Sequence, residues 1–286
     1  MKLHDNALKI SSLSLIWIWL IVFALLPFCL VTVASFLSHD DTHMFNLPFT
    51  IANYLQLNNF IYVKIFKQSF YIAGLCTLFC LLLGYPFAYV IANIEGRFKN
   101  LLVLLIVIPF WTSSLIRTYS MITMLKPKGV INSLLLSTGL IHKPLALLFT
   151  DTAVMIGLVY NLLPFMILPL LTNIERLDKR LVDAARDLGA NKITTFRRVI
   201  LPLTMPGIIS GSILVFLPAM TIFYIPDLLG GSKSILLGNL IQNQFLIAQN
   251  WPLGSAVSVV FTLILAILLW VYWRSSAAKQ DRRAFL

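Results

Sequence analysis

The residues able to do chemistry stand in a few short stretches, and their types limit what that chemistry is. The most patterned stretch is Asp183-Ala184-Ala185-Arg186-Asp187-Leu188-Gly189, followed after nine residues by Val199-Ile200-Leu201-Pro202. A second group sets Asp227 beside Phe223 and Tyr224, and a third places Phe110, Trp111, Tyr160 and Asn161 close to Pro109 and Pro164. Carboxylates, aromatic faces and amides of this kind hold cations. No predicted span carries a nucleophile beside a His, Asp or Glu base, and none carries paired carboxylates, so a catalytic centre is not expected.

Metal chemistry lacks ligands. Cys76 and Cys80 stand one helical turn apart in an apolar run, and Cys29 lies in another, so all three read as small hydrophobes. The histidines, His4, His39, His43 and His142, fall in polar stretches away from that pair. His39-Asp40-Asp41-Thr42-His43 is the nearest approach to a ligand cluster and reads as a solvated loop. No cofactor motif is present: the phosphate-cradling pattern G-x-x-x-x-G-K-[ST] does not occur, and Gly230-Gly231-Ser232-Lys233-Ser234 lacks its spacing.

These groups are embedded in a chain whose solvent is lipid. Only 12% of the residues are charged and 59% are hydrophobic, where a soluble domain carries about 25% charged residues. The mean hydropathy is +0.87. The net charge of +11 does not point to nucleic acid, because no region outside the apolar runs is long enough to build a basic folded face. The charge-free run over 10–38 exceeds the core of a signal peptide, about 7 to 15 residues, and reads as a first spanning helix.

The charge-free runs predict an all-α integral membrane protein of six transmembrane helices, over 13–37, 68–93, 101–116, 152–173, 199–226 and 253–273. Residues 1–12 form a cytoplasmic N-terminus, 38–67 a periplasmic segment, 68–273 a core with a cytoplasmic loop at 175–198, and 274–286 a basic tail. Lys and Arg are retained on the cytoplasmic side. With both termini inside, fifteen of the 22 fall there, among them Arg176, Lys179, Arg180, Arg186, Lys192, Arg197 and Arg198. The outer stretch 117–151 runs against this bias with Arg117, Lys126, Lys128 and Lys143. Arg117 can snorkel from the end of the third span, and 131–141 reads as a short helix on the outer surface. Pro27, Pro86, Pro109, Pro164, Pro169, Pro206 and Pro218 lie in or near spans, where they kink helices and suit a gated pathway.

Within the 175–198 loop, Leu177, Leu181, Ala184, Ala185 and Leu188 recur at helical spacing, with Arg180, Asp183, Arg186 and Asp187 on the remaining surface. Gly189 is placed to end that helix in a left-handed cap. The paired alanines permit close approach of a partner, and Asp183 is expected near the helix start, where the dipole favours a carboxylate. Amphipathicity alone leaves a docking helix and an ordinary solvated loop equally open.

This pattern resembles the EAA motif of bacterial ABC import permeases, E-A-A-x(3)-G-x(9)-I-x-L-P, with Asp183 for Glu and Val199 for Ile. Segments 83–89, 108–119, 157–160, 203–209, 217–220 and 227–231 are similar to the PotB-type spermidine/putrescine permeases of that class, and cover most of the chain beyond residue 50. The resemblance implies a type I (MetI-like) permease fold in a bacterial inner membrane, itself non-catalytic. Asp183, Ala184, Ala185, Gly189, Leu201 and Pro202 would then dock on an ATPase. The implied partners are a second, homologous permease (PotC-type), an ATP-binding subunit dimer (PotA-type) and a periplasmic polyamine-binding protein (PotD-type).

A polyamine route needs carboxylates, aromatic faces and carbonyl oxygens. Asp227 and Tyr224 are expected to receive the cation at the outer mouth, with Phe110, Trp111, Tyr160 and Asn161 lining the path deeper in. Each aromatic serves equally well in packing or in an interfacial belt. Thr150-Asp151 is set to cap the fourth span, and Arg117, which would repel a polycation, is expected to anchor the interface or pair with a carboxylate. Two rival readings remain: the same class of permease carrying a ferric ion, thiamine or an oxyanion, and a secondary transporter or channel. The second would need ionisable residues in mid-membrane, which the first, second, fifth and sixth spans lack.

Overall fold

The computed structural model describes residues 14, 16–39, 47–231 and 234–284. The expected N-terminal segment 1–12, most of the 39–43 cluster and Ser232-Lys233 lie outside the described residues. The regular elements are helices: α1 (Ile16–Ala34), α2 (Ala52–Gln56), α3 (Phe60–Asn93), α4 (Arg97–Val107), α5 (Ser114–Leu125), α6 (Val130–Ser137), α7 (Asp151–Glu175), α8 (Lys179–Asp187), α9 (Lys192–Thr221), α10 (Leu237–Gln242) and α11 (Trp251–Ala284). Five of these, α1, α3, α7, α9 and α11, are long and apolar enough to cross a membrane. A sixth crossing arises if the bent pair of α4 and the α5–α6 segment counts as one span.

That bend departs from the unbroken third span expected over 101–116. The chain tightens into a 3-10 turn at Ile108–Trp111, Thr112 turns extended (φ −95°, ψ 142°), and a new helix starts at Ser114 after a bend of 95°. Pro109 is the cause, since its ring and missing N–H weaken the α ladder at that point. Its carbonyl then takes the Thr112 N–H at 3.3 Å and the Thr112 hydroxyl at 2.9 Å. A short helix does form where one was expected over 131–141, but α6 ends at Ser137, four residues earlier than expected.

The chain forms two compact units. In the first, residues 1–63 with 240–286, α1 and α2 pack on α11. Buried Asn53 donates to the carbonyls of Ser35 (3.0 Å) and Leu37 (2.8 Å), and the Ser35 and Tyr54 hydroxyls lie 2.6 Å apart. These bonds satisfy backbone groups left free past the end of α1.

The second unit, residues 64–239, holds the core. Val154, Leu158, Leu162, Met166 and Leu170 recur at four-residue spacing on α7 and are all but fully buried. Across from them α9 presents Gly207 and Gly211, one turn apart. A Cβ on Gly211 would lie 2.8 Å from Met166 Sδ and 3.1 Å from its carbonyl, and one on Gly207 would lie 2.7 Å from Asn173 Cβ. Small residues thus set the separation of the two helices, as between membrane helices generally. On α3, Tyr85 reaches the same pair, its hydroxyl 2.9 Å from Thr204 Oγ1 of α9.

Replacing Gly211 by Leu should destabilise this unit by about 1–3 kcal/mol through overpacking. The check is a lowered thermal midpoint in detergent, with Gly74→Leu unchanged because a Cβ there meets nothing within 4 Å.

Candidate functional site

The polar residues gather at the two ends of the α7–α9 pair. At the end carrying the basic loop, α7 stops at Glu175, whose Oε1 meets Lys99 Nζ of α4 at 2.9 Å. Asp178 caps α8 by accepting from Arg180 N at 3.0 Å. Asp183 is therefore the fifth residue of α8, not near its start as expected, because Asp178 already occupies the favoured position for a carboxylate. Its carboxylate lies 3.8 Å from Arg186 Nη1, with both groups exposed, a spacing that contributes little.

Gly189 has φ +81°, its N–H donates to Arg186 O at 2.8 Å, and Ala190 N donates to Ala185 O at 3.0 Å. This pair of bonds closes α8 in a Schellman cap, which favours glycine at the left-handed position. Asn191 then caps α9, accepting from Thr194 N at 2.8 Å. A π-turn at Phe196–Ile200 precedes Leu201 and Pro202, so the register shift falls where proline removes a donor. Leu188 is 89% exposed and Ile193 70%, with Leu181 and Ala184 also exposed. Among the described residues nothing covers Leu181, Ala184 and Leu188 of α8.

At the opposite end, α9 stops at Thr221 and the chain makes a π-turn at Pro226–Gly230. Asp227 is exposed on it and accepts from Asn239 Nδ2 at 2.5 Å. The same amide group donates to Phe223 O at 2.7 Å, while Asn239 Oδ1 accepts from Leu236 N at 3.1 Å. Tyr224 donates its hydroxyl to Ser114 Oγ at 2.9 Å, tying the turn to the start of α5. Asp227 and Tyr224 share this turn, and each is held by a residue that sequence reasoning missed. Asn239 had one visible signal, a lone amide inside the apolar run 235–241; Ser114 had none.

The remaining group does not gather at that turn. One turn along α5, Arg117 lies over the Tyr160 ring at 5.8 Å, so it is an aromatic face rather than a carboxylate that meets the guanidinium. Tyr160 is exposed and opens on an apolar groove with Phe79 and Leu83 of α3. Asn161 is buried, its Nδ2 donating to Gly157 O at 2.9 Å, and its Oδ1 has no partner among the described residues. Phe110 packs edge-on against Phe165 at 5.0 Å, and Trp111 is 78% exposed at the break in the chain. Thr150, not Asp151, caps α7, accepting from Ala153 N at 3.2 Å; Asp151 instead accepts from the Ser234 hydroxyl. No group of three or more metal-ligating side chains occurs among the described residues.

Residues 81–278 match the family model described as binding-protein-dependent transport system inner membrane component. The chain is 50% identical over 276 residues to the spermidine/putrescine transport system permease protein PotB of Haemophilus influenzae, covering 96% of each. It is 48% identical over 258 residues to the protein of that name in Escherichia coli K12, covering 90% of this chain and 94% of that one. Another E. coli K12 protein, the inner membrane ABC transporter permease YdcU, is 31% identical over 250 residues. Among solved structures, a chain of a bacterial ABC transporter involved in import of the acidic polysaccharide alginate matches with TM-score 0.78 over 96% of each chain. At 17% identity that likeness speaks for the fold alone.

Asn239→Leu strips partners from a carboxylate, a carbonyl and a buried N–H at once, so it should loosen residues 223–239 by about 1–3 kcal/mol. Faster hydrogen exchange confined to that segment is the expected readout.

Proposed function

The chain belongs to the family of inner membrane components of binding-protein-dependent transport systems, and from that premise we propose that it is the permease subunit of an ATP-driven spermidine/putrescine importer. The observation that carries the substrate class is the near full-length identity of about one residue in two to relatives named for that transport. The exposed Asp227 beside Tyr224 and Phe223 agrees with it, since a flexible polycation binds to carboxylate and aromatic groups.

In this reading the subunit hydrolyses nothing. A dimer of PotA-type ATPases supplies the work, a PotC-type permease completes the pathway, and a PotD-type periplasmic protein delivers the cargo. With both termini cytoplasmic, α8 meets the ATPase, and Asp227 lies at the periplasmic mouth. Leu188, Leu181 and the small Ala184 and Ala185 offer the ATPase an apolar, closely approachable surface, while Gly189 and the Asn191 cap fix its angle to α9. Movement of α8 then passes into α9 and, through the tight Gly207 and Gly211 contacts, into α7. The Tyr224–Asp227 turn at the far end moves with them. Phe110, Trp111 and Asn161 are assigned to the deeper route; the Arg117 guanidinium over the Tyr160 ring disfavours that ring as a polycation contact. Membrane potential already favours cation entry by about 2.3 kcal/mol per charge per 100 mV, so ATP coupling adds concentrating power and control of leakage.

ATP-dependent uptake of labelled spermidine and putrescine by the reconstituted complex tests the reading. The native complex should transport both, and Asp227→Asn should lower uptake about tenfold by removing a charged partner. Polyamines left outside while a ferric ion, thiamine or an oxyanion enters would overturn the cargo; unchanged uptake by Asp227→Asn would remove Asp227 from the route. Gly189→Leu should abolish uptake while the subunit still reaches the membrane. A Cβ at Gly189 meets nothing within 4 Å among the described residues, so the damage falls on the cap and on the docking partner. Gly189→Asn, which tolerates positive φ, should retain more activity than the leucine variant.

A further inference from the structure

A cavity of about 400 Å³ opens at the basic end of the second unit, between the last turns of α3, α8 and the first turns of α9. Its walls are the rings of Tyr85, Tyr89 and Phe196, with Tyr85 and Phe196 edge-on at 5.6 Å. Arg186 and Lys192 also line it; Asp183 is 3.8 Å from Arg186 and exposed, and Glu175, which shares a neighbouring pocket with Arg186, is paired with Lys99. Lys192 is the first residue of the 30-residue α9, whose free N–H groups and dipole favour an anion at that end. Thr195 is 3% exposed and lines the cavity, and its hydroxyl has no hydrogen-bond partner among the described residues.

Two cations, a helix N-terminus and an unused buried hydroxyl call for an anion, and the aromatic walls call for an apolar body attached to it. A polyamine is repelled here, and a free phosphate would leave the three rings uncovered. We propose that this cavity binds an anionic phospholipid, its phosphate held by Arg186, Lys192 and Thr195 and its glycerol and upper acyl chain lying against Tyr85, Tyr89 and Phe196. The position fits, because α3 and α9 are long, apolar spanning helices and the cavity lies between the last turns of α3 and the first turns of α9, which carry Lys192, Arg197 and Arg198. Basic pockets between spanning helices on the cytoplasmic side are sites for anionic headgroups. The site anchors the root of the coupling loop to the lipid surface and goes beyond the transport reading.

The test uses the assembled importer, ATPase subunits included, delipidated in detergent and titrated with dioleoylphosphatidylglycerol or dioleoylphosphatidylcholine, with bound lipid counted by native mass spectrometry. The wild type should retain phosphatidylglycerol in preference to phosphatidylcholine, and Arg186→Ala/Lys192→Ala should weaken that retention about tenfold. Thr195→Val should weaken it further, and Arg186→Lys/Lys192→Arg should keep it while the complex mass reports intact assembly. No headgroup preference, or retention unchanged in the double alanine variant, overturns the proposal. Displacement of phosphatidylglycerol by equimolar inorganic phosphate would make a free anion the ligand. Retention only after the ATPase subunits are stripped would make the cavity part of a protein interface, and either result contradicts the lipid assignment.

Discussion

The close approach of α7 and α9 constrains everything else in the second unit. Two glycines, Gly207 and Gly211, bring the α9 backbone against Asn173, Pro169 and Met166 of α7, and any side chain at either position would collide. In lipid, where burial of apolar surface drives helix association only weakly, such contact depends on dispersion between backbones that small residues allow to meet. Met166 is also the side chain nearest to Gly84, so α3 is fitted to the same point. A shift in one of these helices therefore displaces the others, since packed cores do not deform gradually.

Both functional ends follow from that pair. The loop between α7 and α9 is short and closed by caps at every joint: Asp178, the Gly189 Schellman turn and Asn191 leave α8 no slack to absorb motion. At the other end, the turn after α9 is fastened by Asn239 and, through Tyr224 and Ser114, to α5. Phe149 N donates to Leu229 O at 2.8 Å, which joins the entry of α7 to the same turn. The pair is braced by polar groups at each end and by glycine contacts between them.

Much of this was legible in the sequence because the signals were local. Charge-free runs marked the spans, the helical spacing of Leu181, Ala184, Ala185 and Leu188 marked α8, and Gly189 marked its end. What escaped was long-range. Asn239 and Ser114 act on residues 12 and 110 positions away, and no local pattern announces such a partner. Asp183 sits mid-helix because two aspartates compete for the helix start and Asp178 takes the cap. The break after Trp111 was hidden by apolar continuity: hydropathy runs through Pro109, but the backbone does not. Tyr160 and Asn161, adjacent in sequence, have different surroundings, one exposed and one buried, because they fall on either side of the edge of the buried face of α7.

The most direct test is whether α7 and α9 remain one body while the transporter works. Spin labels at Thr172 and Met205, both exposed, in a background with the three native cysteines replaced by alanine, would report the distance between the helices in the nucleotide-free and ATP-bound complex. The account predicts one distance distribution, unchanged by ATP. A distribution that shifts or splits on ATP binding would mean that the helices slide past each other, and would contradict transmission through the glycine contacts.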